Sequence, residues 1–481
     1  MRLPAGAPHI LALCLGATVT STHAEPKPQG SLLDALKNGK VKALFRYSAQ
    51  SRNSNLYVLQ DSSTPDISDG KTQHYSAAGG FVGYETRPWY YTSIGATVYA
   101  AVPVFSNPSK NRGLGGLYEG NGGQDPYAAL GEAFVRYQKG GHLLKAGRQE
   151  MPGYRFVSLS NIRMSPITHT GAVYENSVND PLRLNLGYIS KMKERNDWRF
   201  IDMARGARLE ESQNGKQLIR GDYNPDDYND TGYIGDNKQM SMASLVWRGE
   251  SFTLEGWNYY INDFVNTVYL YGDYRFTSAD NDLSWIVSAQ YTNQQDVGGH
   301  IAGNIDTYHW GVRIGASFAA LSGFVGYNKV DYNEGSYDGG TIFVRWGTPQ
   351  MFNSFQVQDS ELAGTKSIGA GLQYDFGING VVPGLVMRWR YGDYNLPDQL
   401  IMTDARQDRA EATFDLRYYF TGQSGLGIFS ETQGLSIQFR LAYNNYRTDY
   451  DFEAYKAIHG YDFETATKDF WDARLYLDYR F

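Results

Sequence analysis

Two kinds of side chain alternate along the segment 471–481, and this alternation restricts the possible folds more than any other feature of the chain. Positions of one parity are apolar or aromatic: Trp471, Ala473, Leu475, Leu477, Tyr479 and Phe481. The positions between them are polar: Asp472, Arg474, Tyr476, Asp478 and Arg480. Strand side chains point alternately to opposite faces, so the pattern predicts a β-strand between an apolar medium and water. A soluble β-sandwich is the alternative at this point.

The same alternation recurs along the whole chain, for example in the segments 308–318, 410–420 and 435–444. Ten or so tilted residues cross a hydrocarbon core of about 30 Å, and only a closed barrel leaves no backbone group unpaired in lipid. We therefore predict an all-β fold, a transmembrane antiparallel β-barrel of about eighteen strands. The predicted strands begin near residues 41, 73, 89, 130, 141, 168, 182, 240, 251, 265, 284, 307, 320, 365, 384, 409, 435 and 470.

The connections between these strands mostly alternate between short and long, as expected for short periplasmic turns and long extracellular loops. The short ones are 86–88, 139–141, 179–181, 248–250 and 319–320. The long ones are 50–72, 101–129, 149–167, 193–239, 330–363, 394–408 and 446–469. Two connections break the alternation: 262–263 is too short for its class and 421–434 is too long.

The amino terminus is typical of an exported protein. Arg2 precedes an apolar run over residues 10–19, and small residues at Thr22 and Ala24 fit a signal-peptidase site. We predict a cleaved signal peptide over residues 1–24 and a single barrel domain over residues 25–481. A lipoprotein signal with Cys14 as the lipidated residue is the alternative. Cys14 is the only cysteine, so the mature chain would contain no thiol chemistry.

Composition narrows the class further. Aromatic residues make up 15% of the chain, with 38 Tyr, 23 Phe and 9 Trp, whereas the mean hydropathy is only −0.47. In an outer-membrane barrel, the aromatic girdles at the membrane interfaces account for a high aromatic content, and the polar interior accounts for a low mean hydropathy. Beyond residue 24 no stretch approaches the roughly 20 apolar residues of a membrane helix, and the formal net charge of −7 disfavours a nucleic-acid partner.

Enzyme motifs are missing from the sequence. It contains no Gly-x-Ser-x-Gly, His-Glu-x-x-His or phosphate-binding Gly-x-x-x-x-Gly-Lys pattern, and no histidines at metal-ligand spacing. The aspartates of the segment 222–236 fit no calcium-loop template, so a solvated acidic loop is favoured over a calcium site. We predict no enzyme, no cofactor and no metal, while a triad assembled in space stays an alternative.

Strand parity assigns several arginines to the water-filled face of the barrel, because a charge facing lipid is costly at mid-depth. We call this set the arginine row: Arg46, Arg388, Arg390, Arg417, Arg440 and Arg474. Its members lie on the last four predicted strands and the first, which are neighbours once the barrel closes. Strand direction predicts a descent in which Arg474 lies near the outer mouth, Arg388, Arg390 and Arg440 near mid-depth, and Arg417 lower.

The arginine row has two interpretations. It could guide anions, since successive cationic sites in a narrow channel lower the barrier for a carboxylate. Alternatively, its members could pair with acidic residues of the same face and brace the wall, the candidates being Glu411, Asp415, Asp472 and Asp478.

Three motifs resemble the outer membrane porin D (OprD) family of substrate-specific channels: Gly83-Tyr84-Glu85, Gly147-Arg148-Gln149, and Asn161-Ile162-Arg163-Met164 followed by Pro166, Thr168 and Gly171. The resemblance extends as a pattern over most of the chain. It implies that residues 149–167 form an inward-folded constriction loop with Arg148 and Arg163 at its ends. It also implies that a row of basic residues leads carboxylate-bearing solutes through the barrel.

The barrel pattern and the resemblance together predict passive, selective diffusion of small polar or anionic solutes across the bacterial outer membrane. The predicted partners are outer-membrane lipid and lipopolysaccharide, and the barrel-assembly machinery through the terminal aromatic Phe481; the oligomeric state is a monomer or a homotrimer. An outer-membrane hydrolase and a structural or adhesin barrel are the alternatives.

Overall fold

The computed structural model describes residues 30–54, 56–59, 66–67, 71–105, 117, 125–160, 162–177, 181–207, 237–278, 283–348, 350–397, 408–420, 434–447, 464–467 and 469–481. The predicted signal peptide and the aspartate-rich segment 222–236 lie outside these residues. Among them, no helix is both long enough and apolar enough to span a membrane.

Helices are short in the described part of the chain: α1 is Leu32–Lys37, α2 is Met203–Gly206, and one 3₁₀ turn is Tyr337–Gly340. The strands are β1 Lys40–Ser54, β2 Leu56–Leu59, β3 Asp66–Ile67, β4 Lys71–Glu85, β5 Thr92–Pro103, β6 Tyr127–Lys139, β7 His142–Gln149, β8 Thr168–Asn176, β9 Leu182–Lys193, β10 Met240–Arg248, β11 Phe252–Ile261, β12 Val265–Thr277, β13 Ser284–Asp296, β14 Asp306–Phe318, β15 Leu321–Val330, β16 Lys366–Asp375, β17 Leu385–Asn395, β18 Arg409–Tyr419, β19 Leu435–Tyr446, β20 Glu464–Thr467 and β21 Phe470–Arg480.

Eighteen of these strands form one closed antiparallel barrel. Each strand pairs with its neighbours in chain order, and the ring closes where β1 pairs with β21. The remaining strands β2, β3 and β20 form a small separate sheet. The predicted eighteen-stranded barrel is confirmed, and the largest errors in the predicted strand starts are three residues, at Thr92 and Tyr127.

Burial in the barrel is inverted relative to a water-soluble protein. Apolar side chains on the outer face are exposed, such as Val82 at 64%, Ile314 at 53% and Leu372 at 52%. Charged side chains on the inner face are buried, such as Asp472 at 0% and Arg474 at 2%. Because exposed apolar surface on this scale is stable only against lipid, the outer face is the membrane-facing one.

The connections at one end of the barrel are mostly short and those at the other mostly long; we call these the short-turn end and the long-loop end. Lys139 and His142 are paired across a two-residue turn in which Gly140 and Gly141 have φ of 55° and 80°. A hairpin turn of this kind needs positive φ at both central positions, which glycine adopts without strain.

Both predicted exceptions to the alternation are real. Residues 262–264 alone join β11 to β12 at the long-loop end, and Asp263 makes this tight turn with φ of 59°. At the short-turn end β18 and β19 are separated by residues 420–434.

Candidate functional site in the barrel interior

The described residues 151–160 and 162–167 lie inside the barrel, and the first of them pack against the wall formed by β11 and β12. The ring centroid of Tyr154 is 5.7 Å from that of Trp257, and the ring of Phe156 is 5.6 Å from Tyr259 and 5.5 Å from Tyr269. Phe156 has φ of 51°, a conformation that bulky residues adopt only when their surroundings hold them there. The aromatic contacts supply that support.

Arg155 fixes the same stretch electrostatically. Its guanidinium donates two hydrogen bonds to the carboxylate of Glu255, at 2.8 and 2.9 Å, and its carbonyl accepts one from the Tyr259 hydroxyl at 2.7 Å. Burial lowers the pKa of Arg155, but Tyr269 and Glu255 outweigh burial and raise that pKa above its ordinary value. The guanidinium therefore stays charged and paired.

The other end of this segment contacts the seam between β1 and β21. Arg46 donates a hydrogen bond to the carbonyl of Arg163 at 2.6 Å, Arg163 donates to the Gln50 side chain at 2.9 Å, and the Tyr476 hydroxyl donates to the carbonyl of Ile162 at 3.1 Å. Strand β21 is nine strands from β11 in either direction around the ring. The segment therefore crosses the barrel interior from one wall to the opposite one.

Arg148 and Arg163, the two predicted arginines at the ends of the 149–167 segment, have different surroundings. Arg163 contacts the seam that contains Arg46. Arg148 instead donates a hydrogen bond to the carbonyl of Leu130 at 3.0 Å, and its guanidinium lies 4.3 Å from the ring centroid of Phe200.

A second stretch, which we call the 331–365 segment, also enters the barrel; the structure describes its residues 331–348 and 350–365. The sequence predicts only a long connection there. Ile342, Phe343, Val344 and Trp346 are buried in the same apolar cluster as residues 151–157. The Trp346 indole donates a hydrogen bond to the carbonyl of Met203 at 2.7 Å, which joins this segment to the first residue of α2. The signal that could have revealed it is the apolar run 342–344 followed by Trp346, which is unusual for an exposed loop.

The two inward segments contact each other directly. The Thr348 hydroxyl donates to the carbonyl of Leu159 at 2.9 Å, and the Gln350 amide donates to the Ser158 hydroxyl at 3.0 Å. A Cβ added at Gly347 would lie 2.5 Å from the carbonyl oxygen of Phe156. Only glycine allows the backbones to approach this closely.

Glu411, one of the predicted bracing acids, binds backbone rather than an arginine. Its carboxylate accepts hydrogen bonds from the N–H groups of Gln356, Val357 and Gln358 at 2.9 to 3.3 Å. Three successive N–H groups converging on one carboxylate form a backbone anion-binding nest. The interaction fixes the end of the 331–365 segment to β18.

The arginine row lies on five neighbouring strands, β17, β18, β19, β21 and β1. Arg440 and Arg474 are direct partners in the register of β19 and β21, and Asp415 lies between Arg440 and Arg388. The predicted descent from Arg474 to Arg440 is therefore wrong. The prediction assumed that strand direction sets the position of each residue along the barrel axis. The register between β19 and β21 instead places Arg440 and Arg474 side by side.

Three members of the arginine row form ion pairs with acids of the same wall. Arg46 contacts Asp478 through two hydrogen bonds of 2.7 Å. Arg474 donates to Asp472 at 2.6 Å, and Arg440 lies 3.3 Å from the carboxylate of Asp415. These pairs match the bracing interpretation.

The other three members have no carboxylate partner among the residues that the structure describes. Arg388 donates to the Gln373 amide oxygen at 3.1 and 3.2 Å, and Arg417 donates to the Tyr419 hydroxyl at 2.9 Å and to Gln438. Arg390 lies 4.9 Å from the ring centroid of Phe355. The contacts of these three side chains are thus with neutral groups, whereas Arg46, Arg440 and Arg474 contact carboxylates directly.

A second group of inward arginines lies on the opposite wall near the short-turn end, and the sequence did not single it out. Arg183 is 4.0 Å from Glu175, and Arg275 is 3.0 Å from Asp273. Arg248 lies between these strands, where Arg183 and Arg275 act on it as like charges. Strand parity could have found these residues by the same argument as for the arginine row.

No group of three or more His, Cys, Asp or Glu side chains is placed to hold a metal ion in the part of the chain that the structure describes.

A closed barrel with an apolar outer face, a charged interior and inward-folded loops defines an outer-membrane porin. The chain belongs to the OprD family of outer membrane porins, whose family model matches residues 106–480. It is thereby assigned to the outer membrane, where the family's channels pass small solutes. Comparison with curated protein sequences gives no match.

Solved structures share the fold at low sequence identity. Pseudomonas aeruginosa OccK9 (OpdG) has a TM-score of 0.70 at 17% identity, covering 93% of this chain and 99% of that chain. Acinetobacter baumannii OccAB1 has a TM-score of 0.68 at 14% identity, covering 95% and 99%. Pseudomonas aeruginosa OpdK with vanillate has a TM-score of 0.62 at 18% identity, covering 91% and 98%.

Proposed function

We propose that this porin mediates passive diffusion of small carboxylate-bearing solutes, guided along the wall by Arg388, Arg390 and Arg417. The observation that supports the proposal most directly is that these three side chains contact neutral groups and have no carboxylate partner among the residues that the structure describes. Fixed positive charges on a low-dielectric wall attract anions and lower the barrier to their passage. The similar OpdK structure contains vanillate, itself a carboxylate.

In this proposal the other three members of the arginine row stabilise the structure rather than guide the solute. Arg46, Arg440 and Arg474 are neutralised by aspartates, and Arg46 also binds the carbonyl of Arg163. Their contacts fit a role in holding the wall and the crossing segment in place. Residues 149–167, together with the 331–365 segment, would narrow the pathway, so that the solute must pass close to Arg388, Arg390 and Arg417.

Matched solute pairs in liposome-swelling assays test the proposal. We expect a small carboxylate to enter proteoliposomes about threefold or more faster than its primary amide of similar size, because the wall charges favour the anion. Equal rates for the two solutes would contradict carboxylate guidance. A purified protein that gives no conductance steps in planar bilayers would contradict the channel itself and favour a plugged adhesin barrel.

Gly347→Ala tests whether the contact between the two inward segments sets the pore width. The added Cβ would lie 2.5 Å from the Phe156 carbonyl oxygen and 2.6 Å from the Ser158 nitrogen, so the segments must separate. We expect a larger and noisier single-channel conductance. Gly335→Ala is the matched control, because its Cβ comes no nearer than 3.4 Å to a neighbour in the same segment. Unchanged conductance in Gly347→Ala would show that the narrowest point lies elsewhere.

The proposal also covers how the protein is exported and assembled into the outer membrane. Residues 1–24 would direct export and be removed. The Phe481 side chain is exposed on the outer face, while its backbone exchanges hydrogen bonds with Ala43 at 3.1 and 3.2 Å. A terminal aromatic that is free of the barrel interior fits recognition by the assembly machinery. The outer face would contact lipid and lipopolysaccharide, in a monomer or a homotrimer.

A further inference from the structure

Helix α1 exposes a cluster of leucines at the short-turn end of the barrel. Leu32, Leu33 and Leu36 are 50%, 57% and 48% exposed, and their spacing places them on one face of the helix. Ala35 is the buried residue of α1. Such a face on a short helix has no stabilising partner in water.

The contacts of α1 place it on the outer rim of the barrel rather than beneath the pore. The Tyr84 hydroxyl donates to the carbonyl of Leu36 and accepts a hydrogen bond from the Gly39 N–H at 3.0 Å. Tyr84 has the same strand parity as Val82, which is on the outer face, and it is the register partner of outward-facing Val41. The end of α1 is therefore held by a side chain that points toward lipid.

The neighbouring turn continues the same surface. The Arg87 N–H donates to the carbonyl of Ala35 at 3.1 Å, which holds α1 against the turn 86–91. Trp89 and Tyr90 of this turn are exposed, as aromatic side chains are at membrane–water interfaces. The leucines of α1 thus adjoin the membrane-facing surface of β1, β4 and β5.

We propose that α1 is an interfacial helix that lies in the phospholipid leaflet at the short-turn end, with Leu32, Leu33 and Leu36 among the acyl chains. Two observations identify lipid as the occupant: the continuity of the leucine face with the outer face of the barrel, and the tyrosine that fixes the helix at that face. The polar residues Asp34, Lys37 and Asn38 would face the headgroups and water. The helix would anchor the start of β1, next to the seam with β21.

Spin labels can locate this face in the membrane, independently of which solute the channel passes. Single cysteines are introduced as Leu33→Cys or Leu36→Cys in a Cys14→Ser background, labelled with a nitroxide and reconstituted in phosphatidylcholine vesicles. Val82→Cys is the lipid-facing control and Asn38→Cys is the water-facing control. Heat-modifiable electrophoretic mobility verifies that each variant is folded.

The rates at which the nitroxide collides with oxygen and with a water-soluble nickel chelate show whether each position lies in lipid or in water. We expect the oxygen-to-nickel ratio at positions 33 and 36 to approach that of Val82→Cys and to exceed that of Asn38→Cys by about threefold or more, because interfacial helices bury their apolar face in the acyl boundary. A ratio equal to that of Asn38→Cys would overturn the proposal. Protection from both reagents would also overturn it, since protein rather than lipid would then cover the leucines.

Discussion

Replacing Arg388, Arg390 and Arg417 together with Gln is expected to remove most of the anion preference of the channel. These are the members of the arginine row whose partners are amide, hydroxyl or aromatic groups. One unit charge at about 4 Å from a solute contributes roughly 1 kcal/mol even in water. Because a solute lies this close to about one of the three arginines at a time, their loss should lower the anion-to-cation permeability ratio about fivefold, with 1.4 kcal/mol per factor of ten.

The reversal potential in a salt gradient across a planar bilayer measures this change. The matched control is the triple Lys variant, which keeps the charge while changing the geometry, and we expect it to retain the anion preference. Raising the salt concentration should diminish the difference between wild type and the Gln variant, because mobile ions screen the wall charges. An unchanged reversal potential in the Gln variant would exclude these residues from the pathway.

The barrel could be predicted from the sequence because its determinants are local. Each strand shows its two faces directly through alternation, as β21 does at Trp471, Asp472 and Ala473. Even the irregular connection between Ile261 and Val265 is visible, since the alternation restarts after it. The neighbours of each strand follow from the order of the strands in the chain and from closure of the ring, so no other pairing has to be known.

The interior could be predicted only in part, because its contacts join distant positions. Parity places Arg46 on the inner face, but whether it is neutralised depends on the register across the seam, which pairs it with Asp478. The inward fold of residues 331–365 likewise depends on a surface made by β11–β13, which its own sequence does not specify. Ile342 and Trp346 indicate that this segment is buried, but they do not indicate the surface against which it packs.

Asp472→Asn is expected to destabilise the barrel by about 3–5 kcal/mol, because it removes the carboxylate that pairs with the buried Arg474. Asp472 is fully buried and accepts hydrogen bonds from Arg52, Gln50, Gln356 and Arg474 at 2.6 to 2.9 Å. The asparagine keeps the size of the side chain but turns an amide toward those donors. Urea unfolding in lipid vesicles, followed by tryptophan fluorescence, measures the loss.

Asp393→Asn is the matched control, because Asp393 pairs with Arg447 where both side chains are partly exposed. Pairs of that kind contribute about 0–1 kcal/mol, so the same substitution should have little effect there. If Asp472→Asn were no more destabilising than Asp393→Asn, the seam would not depend on its buried ion pair.

Adding Arg474→Gln to Asp472→Asn separates bracing from solute guidance. If Arg474 only braces the wall, the double variant should recover part of the lost stability, because the unpaired buried charge is gone, and the two substitutions should be strongly non-additive. If Arg474 also lies on the pathway, Asp472→Asn alone should raise the anion-to-cation permeability ratio, because it frees a positive charge that the aspartate neutralises. Stability and reversal potential measured on Asp472→Asn, Arg474→Gln and the double variant therefore test both interpretations of Arg474 independently of Arg388, Arg390 and Arg417.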